Sequence, residues 1–308
     1  MSTMTAGKNS TVVRKSMLLA LRIKFALGSW LRPQATLRRA YALFCTPLPS
    51  SRRHALTADA GDAAVSRFTL GNEELRLYAW GDPQAEPYVL LAHGWSSHAL
   101  RFSAWIRPLR AAGFSVVTFD QIGHGLSSGR RATLPGFADV LTHIGKHYGP
   151  AAAVIGHSLG GAALMLALSA GLEADRAVLI APAADPLDAA RRFARFVGLA
   201  DHLSSHLFDA YESGHPLRVS TLQAHLKVPA IGRPALIVHD LGDREVPWSE
   251  GERYARHWPD ARMVTTTGLG HHRIVDDAGV IEASIRFLRG NAVGDRIVSS
   301  PNLPYGYA

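Results

Sequence analysis

A chain of 308 residues that is 47% apolar and 19% charged has the composition of an ordinary globular protein, which excludes a disordered, collagen-like or coiled-coil chain. Its formal charge of +8 is uneven, because residues 1–58 carry ten Lys and Arg and no Asp or Glu, against 23 basic and 25 acidic residues in the remainder. The globular part is therefore close to neutral, which argues against a nucleic-acid partner, and the single cysteine, Cys45, excludes an internal disulfide.

The basic N-terminal arm, residues 1–58, holds an apolar stretch that two basic residues interrupt and that is shorter than the ~20 residues needed to cross a bilayer. At helical spacing Leu19, Ile23 and Trp30 share one face, with basic residues on the other sides. Such a partly helical arm is compatible with peripheral contact with an anionic membrane surface, in a protein expected in the reducing cytoplasm. A helix that packs across the domain, or a start codon placed too far upstream, would give the same pattern.

From about residue 67 onward, short apolar runs alternate with segments of helical length. The runs predict strands at residues 75–80, 88–93, 115–119, 151–155, 177–180, 234–239 and 263–266. Helices are expected between them, for example at 100–112, 137–148 and 249–258. Strands that are apolar on both faces predict an α/β fold, with a mostly parallel central sheet flanked by helices. We expect this domain to span residues 59–289 and to be followed by a flexible tail at 290–308.

The segment 153–162 combines an apolar strand, a G-x-S-x-G turn and the start of a helix. Gly156 and Gly160 leave room for the sharp turn that lifts the hydroxyl of Ser158 out of the sheet and sets it over a helix N-terminus. A serine hydroxyl is a poor nucleophile unless a neighbouring base removes its proton. The interpretation therefore requires a histidine and an acid further along the chain.

Both partners occur in the required order. The predicted strand at 234–239 runs into a loop that carries carboxylates, among which Asp243 is preferred over Asp240. After the last predicted strand, a glycine-flanked loop carries the adjacent His271 and His272. An acid and a histidine in these loops complete the groups that nucleophilic catalysis by Ser158 needs.

Five motifs in sequence order resemble those of the α/β-hydrolase superfamily, in particular of its esterases, lipases and monoacylglycerol-lipase-like members. They are LLAHGW (90–95), FDQIGHGLS (119–127), GHSLGG (156–161), HDLGDREVP (239–247) and GLGH (268–271). The resemblance covers about residues 67–288 and implies an α/β-hydrolase fold with a small helical cap. It also implies that Asp243, before the Val-Pro pair, is the acid and that His271, directly after the glycine, is the base, with His272 as the alternative.

Two backbone N–H groups are candidates for an oxyanion hole. The residue that follows the nucleophile, Leu159, is well placed to aim its N–H at the developing negative charge. The resemblance implies the N–H of Trp95 as the second donor. His93, in the same motif, is expected to brace the loop, with a role as a second base as the alternative.

The cap implied by the resemblance lies at about residues 182–233. Phe193, Phe196 and Phe208 in this insertion are candidates for the substrate pocket, together with His157 in the G-x-S-x-G turn. The aromatic residues suit the core of the cap equally well. The histidines at positions 98, 202, 206 and 215 form no pair at ligand spacing with carboxylates, and the sequence contains no H-E-x-x-H, no dinucleotide fingerprint and no phosphate-binding loop. We therefore expect neither a metal ion nor a cofactor.

These residues favour hydrolysis of a carboxylic ester through an acyl-enzyme, with a small acyl ester as the substrate. A thioesterase, a carbon–carbon bond hydrolase or an acyltransferase would use the same groups. The alternative of another class is a non-catalytic homologue that binds a small ligand or a partner protein. The sequence gives neither the acyl chain length nor the oligomeric state.

Overall fold

The computed structural model describes residues 4–214 and 216–297. Eight strands form one sheet in the order β1-β2-β4-β3-β5-β6-β7-β8. They are β1 (Ala64–Leu70), β2 (Glu73–Trp80), β3 (Tyr88–Ala92), β4 (Ser115–Phe119), β5 (Ala153–His157), β6 (Ala177–Ile180), β7 (Ala235–Asp240) and β8 (Ala261–Thr266). β2 is antiparallel to both of its neighbours, and the other paired strands are parallel. The predicted α/β fold with a mostly parallel sheet is confirmed.

The α-helices of the described residues lie before, between and after these strands. They are α1 (Met4–Leu31), α2 (Pro33–Phe44), α3 (Ser50–Thr57), α4 (Ser103–Ala111), α5 (Leu134–Tyr148), α6 (Leu159–Ser169), α7 (Pro186–Val197), α8 (Asp201–Ser204), α9 (Asp209–Ser213), α10 (Ala224–Lys227), α11 (Trp248–His257), α12 (Gly270–Arg273) and α13 (Ala278–Leu288). Short 3-10 helices lie at Ala99–Phe102, Val219–Leu222 and Val228–Ala230. Of the predicted tail at 290–308, residues 298–308 lie outside the described residues.

The burial of each strand determines whether the sequence pattern predicts it. Every residue of β3, β4, β5, β6 and β7 is buried, so these strands appear as continuous apolar runs. The edge strand β1 was not predicted, because each of its residues is exposed or half-exposed and it shows no apolar periodicity. It pairs with β2 through a tight turn at Gly71, whose φ of 59° favours glycine.

One face of the sheet packs against α4 and α13 in a common apolar core. Trp105 of α4 is fully buried there, and its indole Nε1 donates a hydrogen bond of 2.7 Å to the carbonyl oxygen of Val275. Burial of a side chain of this size stabilises the fold by about 3 kcal/mol or more. The bond also ties α4 to the chain that directly follows α12.

The chain divides into two compact units. The first consists of Met1–Cys45 and Asp185–Thr221, and the second consists of Thr46–Ala184 and Leu222–Ala308, which includes the whole sheet. The boundaries between the two units thus lie at positions 45, 185 and 221. The sequence suggested 58 for the end of the arm and 182–233 for the cap. In the structure, the first 45 residues and the central part of the insertion belong to the same unit.

The first unit is helical and has its own apolar core. Helices α1 and α2 pack against α7 through buried residues that include Phe25, Leu37, Ala194 and Val197. The hydroxyl of Ser29 accepts a hydrogen bond of 3.2 Å from the N–H of Ala200 and donates one of 2.7 Å to its own helix. The inner face of the arm is therefore occupied by apolar residues of the insertion.

α1 is as long as a helix that crosses a bilayer. Arg22 and Lys24 interrupt its apolar residues. Within residues 4–214 and 216–297, no helix is both long enough and apolar enough to cross a bilayer.

Candidate active site

The predicted turn at Ser158 is present between β5 and α6. Ser158 has φ 54° and ψ −121°, a backbone conformation that costs a residue with a side chain about 1–3 kcal/mol. A Cβ on Gly156 would lie 2.7 Å from the backbone nitrogen of Gly161, and one on Gly160 would collide with the carbonyl oxygen of Ala92. Only glycine fits at both positions, so the sequence pattern and the tight turn have the same steric cause.

The three residues predicted to form the catalytic group lie in one hydrogen-bonded chain. The hydroxyl Oγ of Ser158 is 3.0 Å from Nε2 of His271, and Nδ1 of His271 is 2.7 Å from Oδ2 of Asp243. These distances suit a hydroxyl that donates to Nε2 and an Nδ1–H that donates to the carboxylate. The side chain of Asp243 is fully buried and that of His271 is 6% exposed, so little water competes for these bonds.

Hydrogen bonds hold the carboxylate of Asp243 from both sides. Its Oδ1 accepts from the backbone N–H groups of Glu245 at 2.8 Å and Val246 at 2.9 Å. Burial acts to raise the pKa of Asp243, but hydrogen bonds from His239 and His271 outweigh it and hold the pKa well below its ordinary value. The carboxylate is therefore ionised and can stabilise a positive charge on His271.

Asp240, the alternative acid, holds a loop instead. Its carboxylate accepts hydrogen bonds from the N–H groups of Gly242 and Leu269, both at 2.9 Å, and from the hydroxyl of Thr266 at 2.8 Å. Burial acts to raise the pKa of Asp240, but these bonds lower it overall. Asp240 thus joins the end of β7 to the loop that leads to His271.

His272, the alternative base, lies at the surface. Its Nε2 is 2.7 Å from a carboxylate oxygen of Glu245, and its side chain is 68% exposed. The nitrogen that accepts the hydrogen bond from the hydroxyl of Ser158 belongs to His271.

His157, predicted as a pocket residue, contacts the backbone of the histidine loop. Its Nε2 donates a hydrogen bond of 2.9 Å to the carbonyl oxygen of His271, and the two rings are 4.7 Å apart. Burial lowers the pKa of His157 well below its ordinary value, and the nearby His271 lowers it further. A neutral His157 can donate this bond without adding a charge next to the base. Its assignment to the pocket stays a prediction.

Of the two predicted oxyanion donors, one follows the nucleophile in the chain and the other follows a glycine that lies against it. Leu159 is the first residue of α6, directly after Ser158. Trp95 follows Gly94, where a Cβ would lie only 3.0 Å from the Cβ of Ser158. The neighbouring Ser96 has a φ of 52°, and its hydroxyl accepts a hydrogen bond of 2.9 Å from the N–H of Leu48. The oxyanion role of Leu159 and Trp95 stays a prediction.

His93 joins two loops at the carboxyl end of the sheet. Its Nδ1 donates to the carbonyl oxygen of Gly94 at 2.8 Å, and its Nε2 accepts from the N–H of Gln121 at 3.0 Å. Burial lowers the pKa of His93 to about 4. Both ring nitrogens are therefore used in bonds to the backbone, which suits the bracing role expected of this residue.

The three phenylalanines predicted to line a pocket differ in their surroundings. Within the helical unit, the ring of Phe193 is 5.1 Å from that of Phe44, and Phe208 is 5.6 Å from the same ring. Phe196 is 58% exposed. The first two thus belong to an aromatic cluster with the N-terminal arm, and the assignment of all three to a pocket stays a prediction.

Sequence reasoning missed two contacts of this site. The first is His239, the penultimate residue of β7, whose ring is fully buried 3.4 Å from Asp243. The second is Arg101, which binds Asp276 and donates to the carbonyl oxygen of His272 at 2.6 Å. His239 lies within the HDLGDREVP motif, but its contact with Asp243 depends on the conformation of the loop that follows β7. In the part of the chain that the structure describes, no group of three or more His, Cys, Asp or Glu side chains could hold a metal ion.

Comparisons with known proteins agree with the fold. Residues 83–223 match the family model described as serine aminopeptidase, S33. A monoacylglycerol lipase of Mycolicibacterium smegmatis is 35% identical over 26% of this chain, but the match spans only 32% of that lipase. A pimeloyl-[acyl-carrier protein] methyl ester esterase of Aromatoleum aromaticum is 29% identical over 60% of this chain and 91% of its own length.

The solved structures extend the likeness to the whole fold. A hydrolase from Pseudomonas aeruginosa PA01 superposes with a TM-score of 0.59 at 20% identity, over 76% of this chain and all of that one. At 20% identity, this likeness shows that the two proteins share a fold. The sheet order and this likeness show that the chain has an α/β-hydrolase fold, and over residues 83–223 it resembles the serine aminopeptidase S33 family.

Proposed function

We propose that this protein is a serine hydrolase that cleaves a small carboxylic ester through an acyl-enzyme on Ser158. The observation that carries the proposal is the hydrogen-bonded chain from Asp243 through His271 to the hydroxyl of Ser158. A nucleophile, a base and a group that orients the base are what acyl transfer by serine requires.

In the proposed first step, Oγ of Ser158 attacks the ester carbonyl while Nε2 of His271 takes the hydroxyl proton. The Nδ1–H of His271 stays bonded to Asp243, whose ionised carboxylate stabilises the imidazolium. Collapse of the tetrahedral intermediate releases the alcohol, which receives its proton from Nε2. Water then attacks the acyl-enzyme while Nε2 of His271 takes its proton. Nε2 returns that proton to Oγ of Ser158 as the carboxylic acid leaves.

The negative oxygen of the tetrahedral intermediate needs hydrogen-bond donors that are in place before the reaction. In the proposal, these are the backbone N–H groups of Leu159 and Trp95. A donor of this kind contributes about 3–4 kcal/mol of transition-state stabilisation in serine hydrolases. Gly94 supports the assignment, because the absence of a side chain lets its loop approach Ser158 closely.

The choice of an ester among related substrates is supported by the relatives. Their names describe a lipase of monoacylglycerol and an esterase of a methyl ester. Thioester hydrolysis, carbon–carbon bond hydrolysis and acyl transfer to another acceptor use the same groups. A homologue that only binds a ligand would not need a base aligned on Ser158, which disfavours the non-catalytic alternative.

The proposal is tested by labelling the protein with a fluorophosphonate and assaying p-nitrophenyl esters of increasing chain length, with a thioester series in parallel. We expect covalent labelling at Ser158 and hydrolysis of esters by the parent protein. The Ser158→Ala variant should fold but show neither labelling nor turnover. Turnover by that variant within a few-fold of the parent would contradict the proposal, and a clear preference for thioesters would change the substrate class.

We also propose that the protein acts in the cytoplasm as a peripheral membrane protein that contacts anionic lipid through the outer face of α1. That face carries Leu19, Ile23, Leu27 and Trp30, which are 50–76% exposed, whereas Phe25 on the inner face is buried. Five cations of α1, α2 and their junction are also exposed: Arg22, Lys24, Arg32, Arg38 and Arg39. Apolar burial combined with attraction to anionic headgroups is how interfacial helices bind.

A further inference from the structure

His239 is a fully buried histidine that the proposed mechanism does not use. It is the penultimate residue of β7, and its side chain is 0% exposed. The ring packs so tightly against α11 that a Cβ on Gly251 would collide with Nδ1. The strand on one side and Gly251 on the other hold the imidazole in a single orientation.

The neighbours of the ring define its tautomer. Nε2 lies 3.0 Å from the carbonyl oxygen of Val246 and 3.4 Å from Oδ2 of Asp243. Both of these atoms only accept hydrogen bonds, so Nε2 carries the proton. Nδ1 has no hydrogen-bond partner among the residues that the structure describes. A buried polar atom without a partner costs free energy that an apolar side chain would avoid, so packing alone does not explain a histidine here.

The consequence falls on Asp243. Its Oδ2 lies 2.7 Å from the Nδ1–H of His271 and 3.4 Å from the Nε2–H of His239, while Oδ1 accepts the two backbone N–H groups already described. Donors thus surround both oxygens, which prevents rotation of the carboxylate. The Nε2–H of His239 is bonded to the carbonyl oxygen of Val246 and also faces Oδ2 at 3.4 Å, so its partial positive charge weakens the attraction of that oxygen for the proton of His271.

We infer that His239 is a positioning residue for the reaction: its Nε2–H fixes the carboxylate of Asp243 and limits how strongly that carboxylate attracts the proton of His271. The inference rests on the proposed function, because it assigns His239 a role in the same catalytic group. His239 acts through Asp243 and does not itself exchange a proton.

Other charged and titratable groups around the base have partners of their own. His157 donates to the carbonyl oxygen of His271, and His272 pairs with Glu245. Arg101 pairs with Asp276. A substitution at position 239 leaves these pairs in place, so a change in the pH dependence can be assigned to the contacts of Nε2 with Asp243 and Val246.

The test compares two substitutions of similar polarity. His239→Gln keeps an amide N–H near the position of Nε2, whereas His239→Asn is too short to reach Asp243. The rate of fluorophosphonate labelling at Ser158 is measured from pH 5 to 9, and thermal unfolding confirms that each variant is folded. For His239→Asn we expect labelling to slow about tenfold, the equivalent of one hydrogen bond. We also expect the acid-side midpoint of the profile to rise by about half a pH unit, and His239→Gln should restore most of both.

Parent-like rates and an unchanged midpoint in folded His239→Asn would overturn the inference. If the parent protein itself is not labelled, the proposed function fails instead, so the two failures are distinguishable. Nitrogen NMR of the parent gives an answer that needs no variant, even if His239→Asn does not fold. A neutral ring with the proton on Nε2 would support the inference, and a proton on Nδ1 would overturn it.

Discussion

At the scale of single residues, the site depends on a few atoms whose partners are set by neighbouring loops. Ser158 has its unusual backbone conformation because its N–H donates to the carbonyl oxygen of Ile180 at 2.9 Å and because glycines flank it. His271 is held twice, by His157 at its carbonyl oxygen and by Asp243 at Nδ1. Such support before the substrate arrives lowers the reorganisation that the reaction requires.

The two adjacent histidines of the last loop give the first prediction. His271→Ala should reduce turnover by on the order of a thousandfold or more, because no other base is aligned on Ser158 in the described structure. His272→Ala should stay within about fivefold of the parent, since its exposed pair with Glu245 contributes little. Initial rates with an activated ester measure both. A larger loss in His272→Ala would transfer the role of base to that residue.

Asp240, the last residue of β7, and Asp243, in the loop that follows, give the second prediction. Asp243→Asn should cost on the order of a thousandfold or more in turnover, because an amide in place of the carboxylate favours the wrong tautomer of His271. Asp240→Asn should cost far less activity but should lower the free energy of unfolding by about 1–3 kcal/mol, since it removes an acceptor from a buried loop. Paired rate and urea-unfolding measurements separate the effects. Equal losses of turnover would contradict the assignment of the acid.

The residues of the candidate site could be predicted because each carries a local signature, whereas their supporting contacts could not. Ser158 stands between two glycines that the turn demands, and Asp243 and His271 follow apolar strands within short motifs. The contact of His239 with Asp243 depends on how the chain turns back after β7. That path is set by packing of α11 and not by the spacing of residues, so the motif alone did not reveal it.

At the scale of secondary structure, α1 shows how one helix can satisfy two environments. Its inner face contributes Leu21, Phe25 and Ser29 to contacts within the helical unit. Gly198, with a φ of 77°, allows close approach to the backbone of Arg22, because a Cβ there would lie 3.0 Å from the carbonyl oxygen. The sequence revealed the amphipathic pattern of the outer face. It did not reveal that residues about 170 positions later cover the inner one.

The outer face of α1 gives the third prediction. The full-length protein should cosediment with vesicles that contain phosphatidylserine, and binding should weaken as salt rises. Ile23→Glu and Trp30→Glu should each reduce binding about tenfold or more, because they place a carboxylate on the apolar face next to anionic lipid. Turnover of a short soluble ester should be unaffected.

Point substitutions are the appropriate test, because deletion of the arm would also expose the core residues that pack against Phe25 and Leu37. Leu226→Glu is a matched control, since Leu226 is 54% exposed on α10 in the other unit. It should bind vesicles like the parent. A full-length protein that ignores these vesicles at low salt, or a control variant that loses binding equally, would contradict the membrane proposal.

At the scale of the whole molecule, the stability of the fold is linked to pH through buried neutral histidines. His93 and His124 are at most 1% exposed. Burial lowers the pKa of His93 to about 4 and that of His124 to about 3, compared with the ordinary value of 6.5. The rings lie 5.3 Å apart, so protonation of one would further oppose protonation of the other. Both therefore stay neutral in the folded protein under conditions in which the unfolded chain binds protons.

The fourth prediction follows from the sign of this difference. Below about pH 6.5 the unfolded chain takes up protons that the folded protein excludes, so the free energy of unfolding should fall as the pH falls from 6.5 to 4. Each histidine contributes up to about 1.4 kcal/mol per pH unit in this range. Asp243 has a lowered pKa, so its own contribution persists to lower pH and is lost only as the carboxylate is protonated. Urea-unfolding midpoints from pH 8 to 4 measure the slope.

A substitution at His93 identifies the source of that slope. His93→Gln cannot be protonated but can still accept the N–H of Gln121, so it should flatten the fall in stability below pH 6.5. It should also lower the free energy of unfolding at pH 8 by about 1–2 kcal/mol, because the hydrogen bond to the carbonyl oxygen of Gly94 is lost. His143→Gln, on the exposed surface of α5, should retain the slope of the parent. A slope in His93→Gln as steep as that of the parent would show that burial of this imidazole is not what makes the fold sensitive to acid.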